Sequence, residues 1–159
     1  MNKIKLQSQL QEIVEANFRE KALRDYMDKI AELMIEKKLK ILLKQLSQRN
    51  RAKDNPEMNP VVDVARVRTL SILRRLNDDI VRKSRVAYFL IDAELIQDLD
   101  LKEANFSNTS LLNANLLEAD LINAENLTLE QIKKTQNWEK AYYNPELCKQ
   151  LGLLSREKP

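Results

Sequence analysis

The sequence predicts a helical half joined to a short repeat coil, and three observations predict it. Residues 99–123 fall into five consecutive five-residue units: Leu-Asp-Leu-Lys-Glu, Ala-Asn-Phe-Ser-Asn, Thr-Ser-Leu-Leu-Asn, Ala-Asn-Leu-Leu-Glu and Ala-Asp-Leu-Ile-Asn. The residues from Leu6 to Leu46 contain neither glycine nor proline and are dominated by Gln, Glu, Ala, Lys and Leu, a helix-forming mixture. Charge changes where the periodicity changes: residues 1–90 hold 20 Lys and Arg against 12 Asp and Glu, and residues 91–159 hold 7 against 12. A basic helical half therefore precedes an acidic repeat half.

In the helical half, Leu23, Met27, Ile30 and Met34 are spaced 4, 3 and 4 apart and mark one face of a helix, widened by Tyr26 and Leu33. One long helix, or two joined end to end, fits the segment up to Leu46. A polar stretch from Asn50 to Pro60, with Pro56 and Pro60, reads as a linker, placed near residues 47–61 of a helical domain spanning 1–95. Asp63 then opens a second helix with Val61, Ala65, Thr69, Ile72, Leu73 and Leu76 on one side. Asn77 or Asp78 caps a third, which carries Ile80, Val81, Ala87, Tyr88 and Ile91 towards Leu95. These pack as a small bundle.

A period of five fits neither helix nor flat strand and is the mark of a repeat architecture. The large residues Leu101, Phe106, Leu111, Leu116 and Leu121 recur at that period, with the small residues Ala104, Thr109, Ala114 and Ala119 two places before Phe106, Leu111, Leu116 and Leu121. The segment resembles the pentapeptide-repeat family, whose pattern is Ala-(Asp/Asn)-Leu-X-X. The resemblance implies a right-handed quadrilateral β-helix over residues 96–127, each unit forming one side, and hence an α+β fold class. Two large groups on every side would overfill such a coil, so the second inward position takes a small residue. Leu99 departs from that pattern and reads as a lead-in segment. Five units make only about one turn and a quarter, and stacked repeats need neighbours to bury their core.

The neighbour on the C-terminal side is a cap, residues 128–159. Thr128 and Gln131 have capping-box spacing and Leu127 and Ile132 supply the hydrophobic staple, so a helix starts at Thr128 and runs to about Asn137. Trp138, Tyr142 and Tyr143 then cover the coil, before a last apolar segment around Gly152. On the other side, Arg19 to Ile30 and Asp63 to Asn77 look like the helical region that precedes the repeats in many cyanobacterial pentapeptide-repeat proteins. Those relatives often carry membrane-spanning helices further upstream. Here the longest purely apolar run, Val86 to Ile91, is far below the ~18 residues of a span, and no secretory leader is evident, so a soluble cytoplasmic protein is expected.

The composition excludes most chemistry. There is no histidine and one cysteine, which removes zinc sites and Cys-His or Ser-His-Asp catalysis. One glycine leaves no phosphate-cradling loop. Cys148 reads as a plain packing residue. The pairs Asp78 with Asp79 and Asp98 with Asp100 are the remaining carboxylates of interest, and both read as structural, at a helix start and at the coil corners. No enzyme, cofactor, metal or small-molecule substrate is expected.

The expected function is a non-catalytic protein-interaction module or scaffold, its partner another protein or a second copy of itself. Leu112, Leu117 and Ile122 each follow an inward leucine and form an apolar ridge available to that partner, unless the cap or the helices cover it. The alternative is a peripheral binder of anionic membrane or nucleic acid through the basic segment 37–53, with Lys37, Lys38, Lys40, Lys44, Arg49, Arg51 and Lys53. The plainer reading of that segment is a helix end whose cations meet the negative pole of the macrodipole. Arg66, Arg68, Arg74, Arg75, Arg82, Lys83 and Arg85 form a second basic cluster, expected to pair with Asp25, Asp28 or Glu32 of the first helix, or with the acidic coil. Some relatives mimic DNA with long acidic rods; a single turn attached to a basic half does not fit that role.

Overall fold

With nothing to interrupt it, the first segment forms one 35-residue helix, α1 (Asn2–Glu36), in a computed structural model that describes residues 2–50 and 57–155. Only its second half is packed. Leu23, Tyr26, Ile30 and Leu33 are buried, while Met27 and Met34 are only partly so, which turns the core face towards Tyr26 and Leu33. The reason is Tyr26. Its ring meets Phe89 edge-on at 6.0 Å, and its hydroxyl lies 3.0 Å from Thr69 Oγ1. Because Thr69 already donates to the Ala65 carbonyl, Tyr26 is the donor of that bond. Burial pushes the Tyr26 hydroxyl up to about 12, so it keeps its proton at any physiological pH.

Lys38, with φ of 53°, breaks the helix and starts α2 (Leu39–Asn50), so the segment is two helices end to end. Asn50 closes the linker: its Oδ1 accepts from Glu57 N at 2.8 Å and its Nδ2 donates to Glu57 O at 3.0 Å. The linker's middle, residues 51–56, lies outside the described residues, and with it Arg51, Lys53 and Pro56. Helix α3 (Pro60–Arg75) begins three residues before the expected Asp63. Asn59 accepts from Val61 N and Val62 N, and Pro60 occupies the first helical position, where a missing N–H costs nothing. Helix α4 (Ile80–Asp92) is capped by Asp79 rather than by Asn77 or Asp78. Helix α1 packs on α2, α3 and α4, and α2 packs on α3.

The repeat segment corrects the expected fold class. Among the described residues there is no β-strand, so no β-helix forms and the fold is not α+β but predominantly helical. The physical reason lies in the turns. Each unit closes a four-residue turn, with Ala104 N donating to Leu101 O, Thr109 N to Phe106 O, Ala114 N to Leu111 O, Ala119 N to Leu116 O and Ala124 N to Leu121 O. Glu103, Asn108, Asn113 and Glu118 take positive φ, between 56° and 70°, at the third position of the first four turns, as type II turns demand. So much of each unit is spent in the turn that no run of consecutive ladder pairs can develop. What remains are three isolated parallel bridges, Asn105 with Glu125, Asn115 with Gln136 and Asp120 with Tyr142.

The repeat residues nonetheless line an interior. Leu101, Phe106, Leu111, Leu116 and Leu121 are buried, as are Ala104, Thr109, Ala114 and Ala119, and all but Thr109 belong to a hydrophobic core that extends from Leu23 to Leu151. The Asp or Asn of each unit has a task the period alone does not reveal. Asp100, Asn105, Asn115 and Asp120 each accept, through Oδ1, from the backbone N–H two residues on, bracing the turn that follows.

After the repeats, Thr128 and Gln131 form a complete capping box at the head of α5 (Leu129–Lys133), which stops well short of Asn137. The chain leaves the helix because Gln136 and Tyr142 are used to pair with Ala114 and Ala119: Gln136 N donates to Ala114 O and Tyr142 N to Ala119 O, both under 3 Å. A 3-10 turn (Trp138–Lys140) and α6 (Pro145–Leu151) complete the cap, with Asn144 at the start of α6 and Gly152, φ 73°, at its end. Tyr142, Tyr143 and Cys148 are buried.

Two outcomes follow for stability. Leu116→Ala removes a fully buried side chain from the repeat's interior and should cost about 2–5 kcal/mol in denaturant unfolding. Glu118→Gly relieves a left-handed backbone at a non-glycine residue, and the net gain over glycine's greater unfolded-state freedom should be about 0.5–1 kcal/mol, seen as a higher Tm.

Candidate interaction surfaces

The helical half is fastened to the repeats by α4 and α3. On α4, Lys83 is fully buried and its Nζ donates to Ser107 O at 2.9 Å and lies 3.3 Å from Ser107 Oγ. Its neighbour Ser84 donates to Ile80 O and accepts from Ser110 N at 2.7 Å. Ser110 is the one unit that lacks Asp or Asn at the bracing position, so α4 supplies the acceptor instead. Tyr88 OH donates to Leu112 O at 2.7 Å, and Gln97 to Leu117 O at 3.3 Å. On α3, Arg66 pairs with Asp100 at 3.2 Å and donates to Lys102 O, and Arg74 reaches Glu103 at 3.4 Å.

This places most of the second basic cluster. Arg66 and Arg74 meet the acidic repeats, while Arg82 and Arg85 meet α1 at Glu20, at 2.8 and 3.1 Å, and not at Asp25, Asp28 or Glu32. Arg82 also binds Asp79 at 2.8 Å. Hydrogen bonds first from Arg85 and then from Arg82 hold the Glu20 carboxyl below its usual range. Its stabilising contribution is therefore present above the ordinary carboxylate pKa and is lost as the pH falls through the lowered value. Lys83 is the residue that sequence reasoning misplaced. Counted with a charged surface cluster, it sits in the core, and only the neighbouring apolar positions Val86, Ala87, Leu90 and Ile91 hint that its face is the inward one.

The first basic segment is split by the α1–α2 break. Lys37 and Lys38 are exposed at the junction, next to the carbonyl end of α1, where cations are favoured. Lys40 is tied to Glu94 at 2.6 Å, and that bond holds the Glu94 carboxyl low, with Lys44 adding a smaller attraction. Arg49 lies 3.7 Å from Glu57. The segment therefore does not present one continuous row of unpaired cations.

Two recesses border the repeats. One, about 380 Å³, lies between α2, the start of α3 and the repeats, with Leu43, Leu46 and Val62 facing Asp98, Asp100 and Asp120. The structure thus brings Asp98 and Asp100 together with Asp120, yet Asp100 is held by Arg66 and by Lys102 N, and Asp98 and Asp120 have partners of their own. No group of His, Cys, Asp and Glu among the described residues is arranged to hold a metal ion. The other recess, about 430 Å³, runs between Ile80 and Leu112 on one side and Thr128, Gln131 and Lys134 on the other. Its floor is closed by Gln131, which donates to Phe106 O and Thr109 O. Of the three residues expected to form an apolar ridge only Leu112 lines this recess; Leu112 is 55% exposed, Leu117 39%, and Ile122 is partly buried. Ile80 and Val81, expected to face inward, are exposed too.

With this geometry in view, residues 100–128 match the family described as pentapeptide repeats (8 copies). The chain therefore carries a pentapeptide-repeat segment, and the helical half lies outside the match. No curated protein and no solved structure matches the chain. No helix of the described residues is long and apolar enough to cross a membrane.

Burial lowers the Lys83 pKa from the ordinary 10.5, because the charged form loses its hydration; Asp78 offsets this in part. The unfolded chain then binds the proton more tightly than the folded one, so stability rises with pH between the lowered value and 10.5. Lys83→Met should raise Tm at pH 7, and its advantage over the wild type should shrink as the pH approaches 10.5. Parallel melts at pH 7 and pH 10 check the sign.

Proposed function

We propose that this chain is a non-catalytic protein-interaction module of the pentapeptide-repeat type. The observation that carries the reading is the division of labour among the repeat's neighbours. Helices α3 and α4 and the C-terminal cap bury the repeat's interior and pair with its backbone, whereas the outward residues Leu112 and Leu117 stay exposed and apolar, Leu112 sharing the rim of a recess with Ile80. Exposed apolar residues gathered beside a recess are the usual mark of a contact surface. The carboxylates that line the recess beside α2, Asp98, Asp100 and Asp120, are engaged in contacts within the fold, which supports a binding role over a catalytic one.

A membrane or nucleic-acid role through the basic segment has less support, because Lys40 is committed to Glu94 and the remaining lysines flank a helix break. The test uses the full chain, immobilised, to recover a specific protein from lysate. The Leu112→Asp, Leu117→Asp double variant should keep the wild-type Tm within a few degrees and lose that protein. A chain that stays monomeric and recovers no specific protein would end this reading.

A further inference from the structure

Most of the basic side chains of α3 and α4 are engaged within the fold. Arg68 and Arg75 are not: both are exposed, and among the described residues neither forms an ion pair or a hydrogen bond. They stand two turns apart on one face of α3, ~10.5 Å along its axis. Both line a recess of about 350 Å³ between α1 and α3. Ser71, one turn from each, offers its hydroxyl there, the buried Tyr26 and Ile72 also line it, and Asp25 enters from α1 without pairing with either arginine. Arg75 lies in the last turn of α3, where the negative pole of the helix favours a cation. Arg68, nearly two turns earlier, gains nothing from that pole.

The same helix shows what such a pair fits. At ~100° per residue, Arg66 and Arg74 lie roughly 150° around α3 from Arg68 and Arg75 and face the repeats. Arg66 pairs with Asp100 at 3.2 Å and donates to Lys102 O, and Arg74 reaches Glu103 at 3.4 Å. Together they clasp a turn that presents two carboxylates, those of Asp100 and Glu103. Helix α3 thus carries two arginine pairs of nearly the same spacing, ~12 and ~10.5 Å along its axis, one filled by an acidic segment and one open.

The charges in the recess select among anions. Two guanidiniums against the single Asp25 leave it net positive, and each guanidinium can take a carboxylate through two parallel N–H groups. A nucleic-acid backbone or an anionic bilayer presents a continuous row of phosphates, which calls for more cations than these and would meet Asp25. A peptide can give one carboxylate to each arginine and turn a backbone amide towards Asp25. The acidic turn of a second copy is not the occupant, because its own α3 already holds it.

We propose that the recess between α1 and α3 binds an acidic segment of a partner protein, with two carboxylates about three residues apart taken by Arg68 and Arg75. This deepens the interaction-module reading and rests on it, at a surface separate from Leu112 and Leu117. The arginines are exposed, so each pair adds modestly to affinity and mainly selects the partner.

Random peptides of ~12 residues displayed on phage and selected on the immobilised full chain should return sequences with two acids three or four residues apart. By fluorescence anisotropy, the best of these should bind the Arg68→Gln, Arg75→Gln double variant about tenfold more weakly than the wild type. That variant should keep its circular dichroism and Tm, since neither side chain is engaged in the fold. Asp25→Asn removes the one carboxylate of the recess and should tighten the same peptide, up to about fivefold. Selected peptides without an acidic pair, equal binding by the double variant, or weaker binding by Asp25→Asn overturns the inference. So does binding of duplex DNA or phosphatidylserine vesicles that depends on Arg68 and Arg75. A chain that recovers a specific protein from lysate but selects no acidic peptide keeps the interaction-module reading and loses this inference, and a chain that does neither ends both.

Discussion

Everything in this fold answers to one constraint: a repeat segment of only five units has too few neighbours of its own to satisfy its backbone and bury its interior. In a long repeat array each unit would be covered by the next. Here other elements stand in. Glu125, Gln136 and Tyr142, successively further from the repeat pattern, supply the backbone partners that further units would have supplied. From the other side, the Ile96 carbonyl accepts from Asp120 N, and Ser84 takes the N–H of Ser110.

That arrangement explains features that look wrong in isolation. A lysine in the core is costly, and Lys83 is there because its ammonium reaches the Ser107 carbonyl, at a turn that no neighbouring unit covers. The 3-10 turn and the abrupt end of α5 have the same origin, since Gln136 and Tyr142 must lie alongside the repeats to make their backbone bonds, as must the Lys134 carbonyl that accepts from Asn113 N. The arginines of α3 and α4 fix the angle between the halves. They do so mostly at exposed or half-exposed sites, where each pair adds little stability and their value lies in geometry.

With the repeat's interior and backbone occupied, what is left outward is informative. The ridge at Leu112 and Leu117 and the free stripe of α1 are two apolar surfaces on different elements, neither of them needed by the core.

The sequence by itself determined the repeat: the large and small residues at period five, the capping box at Thr128, the break at Gly152 and the helical character of the first half are local patterns with local causes, whereas the choice between one helix and two up to Leu46 fell to the structure. Only the tertiary structure decided the rest. That the units form turns and single bridges, with no strand, depends on which backbone comes alongside, and no local pattern states that. The same holds for the true core face of α4, where Lys83 and Ser84 are inward and Ile80 and Val81 outward, because hydrogen bonds to Ser107 and Ser110 outweigh the apolar pattern. The open stripe of α1 was present in the sequence as Leu6, Leu10 and Ile13. It took the packing of Leu23 to Leu33 on the opposite side to show that nothing among the described residues covers it.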